Sequence, residues 1–199
     1  MTKIKICGLF RDCDIDYVNE AMPDYAGFVF AKSHRQVSVK QADLLRKKLN
    51  KNIISVGVFV NNSIEEIRKI CDDGIISVVQ LHGSEDNNYI SELRKQCKPE
   101  IIKSVNASNG IDIQKVRNIN ADYLLFDGGM GGEGKTFDWQ IISEIKTPFF
   151  LAGGLNIENI DEAVKQVKPF GVDLSSGVET DGFKDKEKIL NIVRRVKNV

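Results

Sequence analysis

The feature that most constrains this chain is a repeated alternation in which short β-branched or aromatic runs are each followed by a longer amphipathic segment. That rhythm belongs to β/α units rather than to a sandwich or a helical bundle. Eight strand candidates can be read: Lys3–Leu9, Tyr25–Phe30, Ile54–Val60, Ser77–His82, Glu100–Val105, Ala121–Asp127, Phe149–Gly153 and Gly171–Leu174. Between them, helix candidates open on polar residues: Ser63 ahead of Glu65 and Glu66, Asp86 ahead of a segment ending near Cys97, and Asn156 ahead of Glu158. In the last helix Ile189, Ile192, Val193 and Val196 form one stripe, while Lys188, Asn191, Arg194, Arg195 and Lys197 face away, as on the outer ring of a barrel.

Eight such pairs can close into a (β/α)8 barrel or lie in an open doubly wound sheet, and periodicity alone does not choose. The placement of chemistry-bearing residues does. They stand at the carboxyl ends of strands 1, 2, 4, 6, 7 and 8, and only a closed ring gathers all those ends around one cavity. At 199 residues the chain is close to the ~200 minimum for such a barrel, so a single domain over residues 1–199 is expected.

Twenty-eight basic residues balance 28 acidic ones, which removes the long-range attraction that nucleic acid or an anionic membrane requires. No apolar run approaches the ~18 residues of a membrane span, and the amino terminus shows no signal-like segment, so a cytoplasmic protein is expected. Cys7, Cys13, Cys71 and Cys97 are scattered without a Cys-x-x-Cys pair or a histidine at a zinc-ligand interval. They read as free thiols, with neither a disulfide framework nor a metal site.

After strand 7 comes Leu151-Ala152-Gly153-Gly154-Leu155-Asn156, and after strand 8 comes Asp173-Leu174-Ser175-Ser176-Gly177-Val178-Glu179. Paired glycines let backbone N–H groups approach an anion, and serine hydroxyls add donors, so Gly153, Gly154, Ser175, Ser176 and Gly177 form a candidate phosphate corner. One such loop would equally serve as a tight strand-to-helix turn; two in tandem after the seventh and eighth strands favour phosphate. Strand 6 ends at Asp127, and five glycines fall among the next eight residues. The Gly-x-x-x-x-Gly-Lys-Thr spacing from Gly129 to Thr136 has the wrong neighbours for a nucleotide-binding P-loop, and a lid over bound substrate is the better reading, with a plain surface connection the alternative.

Cys7 ends strand 1 and faces the same mouth as Asp127, with Lys5 two residues earlier on the same face. A thiol ionises near 8.5 and nearby positive charge favours its thiolate, so Cys7 and Asp127 make a workable base and acid. Spacing alone leaves Cys7 equally readable as core filler. Arg35 by itself reads as a surface charge, His82 as a hydrogen-bonded wall residue and His34 as solvent-facing.

In order and over nearly the whole chain, a set of motifs resembles the phosphoribosylanthranilate isomerase family. These are Lys5-Ile6-Cys7-Gly8, Gly27-Phe28-Val29-Phe30 with Ser33-His34-Arg35-Gln36-Val37, Gln80-Leu81-His82-Gly83, Gly131-Gly132-Glu133-Gly134-Lys135-Thr136-Phe137-Asp138-Trp139, and the two loops after strands 7 and 8. The resemblance implies an α/β TIM barrel that converts N-(5-phosphoribosyl)anthranilate to the 1-deoxyribulose phosphate by Amadori rearrangement. Asp127 would protonate the ring oxygen and Cys7 would take the proton from C2. Arg35 would receive the anthranilate carboxylate, and His82, Gly132 and Gly134 would contact substrate. The iminium intermediate is itself an electron sink, so no cofactor is expected, and a monomer with a small-molecule sugar phosphate as its partner is the default.

Two departures stand out: Leu9-Phe10-Arg11 where the family more often has Ile-Thr followed by Arg or Asn, and Glu133 in place of a common Thr or Ser. The first removes a hydroxyl near the base, and the second puts a negative charge into a loop facing an anionic substrate. The nearest rival is the histidine-pathway barrel, which performs the same rearrangement with two aspartates; Cys7 in place of the first Asp argues against it. A lyase or synthase of the same fold, a non-catalytic binding protein and a flavin enzyme are weaker rivals that share the phosphate corner.

Overall fold

The computed structural model describes residues 1–108, 110–128, 142 and 145–198. Eight parallel strands close into a barrel in sequence order: β1 (Lys3–Cys7), β2 (Tyr25–Val29), β3 (Ile54–Phe59), β4 (Val78–Leu81), β5 (Glu100–Asn106), β6 (Tyr123–Asp127), β7 (Phe149–Ala152) and β8 (Gly171–Leu174). The ring closes where β8 pairs with β1, setting Lys5 opposite Asp173. Outside it run α1 (Asp12–Ala21), α2 (Val39–Lys48), α3 (Ile64–Asp72), α4 (Asn87–Gln96), α5 (Ile113–Arg117), α6 (Ile160–Val167) and α7 (Lys186–Asn198). A 3₁₀ turn (Ser176–Val178) and a small antiparallel hairpin, β9 (Glu179–Thr180) with β10 (Phe183–Lys184), follow β8.

The period-2 alternation of each strand divides the apolar residues into two sets. Outward residues such as Ile4, Ile6, Phe28, Leu81, Ile101 and Phe126 join the helix stripes in the main core. Inward residues Tyr25, Val56, Val78, Ile102, Leu125 and Phe150 form the packed floor of the barrel. There the Phe150 ring meets Tyr25 edge-on at 5.4 Å and Phe170 at 5.4 Å. Above this floor several inward positions turn polar, with Gln80, His82, Asp127 and Asp173 standing beside the apolar Val58 and Ala152 around a site at the carboxyl end.

All eight expected strands form, and two of them end where glycine geometry dictates. β1 stops at Cys7, because Gly8 at φ 81° leaves the extended region; β7 stops at Ala152, because Gly153 sits at φ 89°. Ser63 and Glu66 cap each other at the start of α3, and Asp86 caps α4, as their spacing predicts. Asn156 does not start a helix: its side chain accepts from the Glu158 and Asn159 amides in a turn, and α6 begins at Ile160 with Asn159 as its N-cap. In α7, Ile189, Ile192, Val193 and Val196 are buried as expected. The hairpin β9–β10 has no counterpart among the expected strands.

Candidate active site

A cavity of about 530 Å³ opens at the carboxyl ends of the strands. Its wall follows from the inward parity: Cys7 from β1, Val58 from β3, Gln80 and then His82 from β4, Leu125 and Asp127 from β6, Ala152 from β7 and Asp173 from β8. Arg35 and His34 reach it from the loop after β2, and Gly153, Gly154, Ser175, Ser176 and Gly177 from the loops after β7 and β8. Of the residues expected to carry chemistry, those described all meet in this one cavity. Gly132, Gly134 and Glu133, with the expected lid, lie outside the described residues. A second hollow, of about 550 Å³, lies on the outer surface against α6 and α7, away from the strand ends.

Cys7 is buried, and its Sγ lies so close to β2 that a side chain at Gly27 would collide with it at 2.9 Å. Burial pushes its thiol above the usual range, while Lys5 draws it down and Asp173 pushes it up. The neighbouring cation on which the sequence reading relies is present in Lys5, and burial works against it. Lys5 is fully buried, with Nζ 2.9 Å from both carboxylate oxygens of Asp173. Burial alone would depress its ammonium, but Asp173 and Cys7 more than offset this and hold it above its ordinary value.

On the far wall, Asp127 and His82 are each about one-third exposed, with His82 Nε2 3.9 Å from an Asp127 oxygen. The other ring nitrogen, Nδ1, is 2.7 Å from Ser104 Oγ on β5. His82 is thus held by its neighbour and turned toward the acid, while His34 is exposed, as expected.

Arg35 presents a result that its position in the sequence did not announce. Its Nε and Nη2 donate to Glu179 at 2.7 and 2.6 Å in a two-pronged pair. Glu179 also accepts from the buried Lys184. Burial pushes Glu179 up, yet Arg35 and Lys184 together hold it below the usual carboxylate range. Lys184 Nζ further donates to the Ser175 carbonyl at 3.1 Å and lies 3.3 Å from its hydroxyl, which in turn donates to the Cys7 carbonyl at 3.1 Å. One ionic knot therefore ties Arg35 to the loop after β8.

The phosphate corner is built by close approach. Gly153 and Gly154 take φ 89° and 67°, a left-handed region that favours glycine. At Gly177 a Cβ would lie 1.9 Å from the Leu155 carbonyl oxygen, so the two loops touch where only glycine fits. The departure at Leu9-Phe10-Arg11 is absorbed structurally: Leu9 is core, the Phe10 ring stands 6.1 Å from Phe183, and Arg11 pairs with the buried Asp14 at 2.7 Å.

Three contributors went unassigned at the level of sequence: Ser104, Glu179 and the Lys5–Asp173 pair. The signal for the last was a charged residue at an inward position of each of two neighbouring strands. Among the described residues no group of three or more His, Cys, Asp or Glu is placed to hold a metal, and no helix is long and apolar enough to cross a membrane.

Residues 4–195 match the family model of N-(5'-phosphoribosyl)anthranilate isomerase. The chain is 48% identical to the isomerase of that name from Endomicrobium trichonymphae, with 100% of both chains covered. It superposes on the Thermotoga maritima phosphoribosyl anthranilate isomerase with a TM-score of 0.88 at 34% identity, covering 100% of each chain. A further structure, of phosphoribosyl anthranilate isomerase in complex with reduced 1-(o-carboxyphenylamino)-1-deoxyribulose 5-phosphate, matches with a TM-score of 0.86 at 33% identity, again covering 100% of each. A closed barrel, a strand-end cavity and full-length likeness thus converge, and the chain belongs to the phosphoribosylanthranilate isomerase family, the enzymes of the isomerase step in tryptophan biosynthesis.

Proposed function

We propose that this isomerase works through Asp127 as acid and Cys7 as base on N-(5-phosphoribosyl)anthranilate. The observation that carries the reading is that the two groups stand on opposite walls of one cavity whose rim holds both glycine-rich loops. Asp127 gives a proton to the furanose ring oxygen as the C1–O bond breaks, and the aniline nitrogen supplies the electron pair that forms the iminium. Cys7, as thiolate, takes the proton from C2, whose C–H electron pair moves into the iminium and yields an enolamine. Tautomerisation then gives the ketone. Asp127 suits the first step because its side chain is partly exposed to the cavity, and His82 lies beside it at 3.9 Å as a wall residue.

Gly153, Gly154, Ser175, Ser176 and Gly177 receive the phosphate, whose charge suits a corner of backbone N–H groups and hydroxyls. Arg35 receives the anthranilate carboxylate with the donors that Glu179 leaves to it: a guanidinium carries five N–H groups, and the Glu179 pair engages Nε and one terminal nitrogen. The same reading takes the whole chain as one barrel domain and as a monomer. A cytoplasmic setting belongs to the same reading and accords with four free thiols.

The test is the loss of anthranilate-type fluorescence when the protein is added to freshly generated phosphoribosylanthranilate. Rapid loss with wild type and little with Cys7→Ser is expected. No loss with either would overturn the assignment of substrate and send attention to the histidine-pathway analogue.

A further inference from the structure

A fully buried lysine is rare, and one that faces a barrel's interior directly beneath its site calls for a reason. Lys5 is 0% exposed and sits in the layer between the apolar floor and the cavity. The β1–β8 register sets it opposite Asp173, and both carboxylate oxygens accept from its Nζ at 2.9 Å. Those two bonds leave one N–H of the ammonium, and the next inward side chain along β1 is Cys7, two residues on and on the same face, near enough for the two groups to act on each other through charge. The acid/base scheme above makes no use of this pair, yet it requires a buried thiol to carry negative charge during turnover.

We propose that Lys5 is a positioning residue for the isomerase reaction, forming an ion pair with the Cys7 thiolate while Asp173 holds and partly neutralises that cation. This rests on the reading of Cys7 as the base. Lys5 touches no reacting atom. It acts by giving the sulfur a fixed counter-charge where water is excluded, so that the negative charge appearing on sulfur meets a cation already in place. Asp173 acts in the opposite sense: it keeps Lys5 charged in a dry layer, and it competes with the thiolate for the same ammonium.

The other groups around Cys7 fit this division. From β10, the Lys184 cation is spoken for by Glu179 and Ser175; from the loop after β2, Arg35 packs over Gly8 and is paired with Glu179; and β2 presents Gly27, which has no side chain. Among the described residues, Lys5 is hydrogen-bonded to one counter-ion, Asp173 on the adjacent strand β8.

The pair predicts shifts of opposite sign, which a purely structural role would not produce. The measurement is the rate of Cys7 carbamidomethylation by iodoacetamide across pH, followed on the Cys7 peptide by mass spectrometry. Lys5→Met should move the alkylation profile to higher pH and slow the reaction at pH 8 by about tenfold or more, the equivalent of one unit of thiol ionisation. Asp173→Asn should move it to lower pH and speed alkylation, because the thiolate becomes the ammonium's nearest anion. Lys5→Arg, which keeps the charge, should restore most of the wild-type profile.

Where Lys5→Met leaves a buried carboxylate that impairs folding, the double variant Lys5→Met/Asp173→Asn removes both charges together, and its profile should lie above that of Asp173→Asn alone. Profiles of the folded single variants that overlay wild type, or that move in the same direction, would overturn the proposal. So would an Asp173→Asn profile that stays put or moves to higher pH. A Cys7→Ser variant with near-wild-type turnover would instead remove Cys7 from the reaction while leaving the alkylation result, and hence the ion pair, to be judged by itself.

Discussion

The two walls of the cavity solve the same problem in opposite ways. On the β1–β8 wall, Cys7 sits dry among charged side chains that are themselves buried: Lys5 is 0% exposed, and the side chains of Asp173, Glu179 and Lys184 are 9, 6 and 0% exposed. On the β4–β6 wall, Asp127 and His82 remain about one-third exposed, and His82 Nδ1 lies 2.7 Å from Ser104 and 3.3 Å from Gln80. A carboxylic acid that must donate and be recharged profits from water, whereas a thiol that must become a strong base profits from a fixed counter-charge and little solvent. The acid side does contain a buried ion pair, Lys103 with Glu85 at 2.9 Å, but it lies beneath the loop after β4, outside the barrel interior, and supports the wall rather than the chemistry.

The largest effect should come from erasing each wall's reactive group. Cys7→Ser and Asp127→Asn are each expected to lower kcat by about 10²- to 10⁴-fold with thermal unfolding nearly unchanged. Turnover near wild type in either, measured by the fluorescence assay, would break the assignment of that wall.

Next comes the pair that holds up the acid side. Lys103→Met leaves the Glu85 carboxylate buried with backbone amides such as those of Asn61 and Gly83 but no cation, and should cost about 3–5 kcal/mol in urea unfolding. Burial pushes Glu85 up, yet those amides and Lys103 hold it below its ordinary value of 4.5. A carboxyl depressed in the folded state stabilises fully above its unfolded value and loses that contribution as pH falls through the lower, folded one. Wild-type stability should therefore decline below about pH 4.5, and Lys103→Met should show a weaker decline in the same window; equal slopes would remove Lys103 from the account.

Glu179→Gln tests whether the ionic knot on the base side reaches substrate. Losing the charge on Arg35's partner should weaken binding by about 1.5–3 kcal/mol, seen as a raised KM with kcat less changed. A lowered KM would mean instead that Glu179 competes with the substrate carboxylate for Arg35, and the comparison of walls would sharpen accordingly. Smallest of all, Ser104→Ala frees the His82 ring and should cost about 1 kcal/mol in kcat/KM, a loss of roughly fivefold; no loss would leave His82 as wall alone.

Much of this was legible before any coordinates. The strand list, the caps at Ser63 and Asp86, the buried stripe of α7 and the gathering of Cys7, Asp127, His82 and the glycine loops follow from periodicities and local chemistry, whereas Arg35 joins them only through the family resemblance. Asn156 was read as a helix start because a helix N-cap and a turn ask for the same side chain, and only the packing of α6 selects between them.

By itself the sequence settled which residue types stand at each strand end, because side-chain alternation and glycine conformation are local properties. Tertiary structure alone decided what those residues face: Lys5 meets Asp173 across 168 positions, Arg35 meets Glu179 across 144, and Cys7 is buried beside charged groups. Partnership and desolvation depend on closure of the ring, which brings the first strand against the eighth, and no local pattern in the chain records the distance or the dielectric that results.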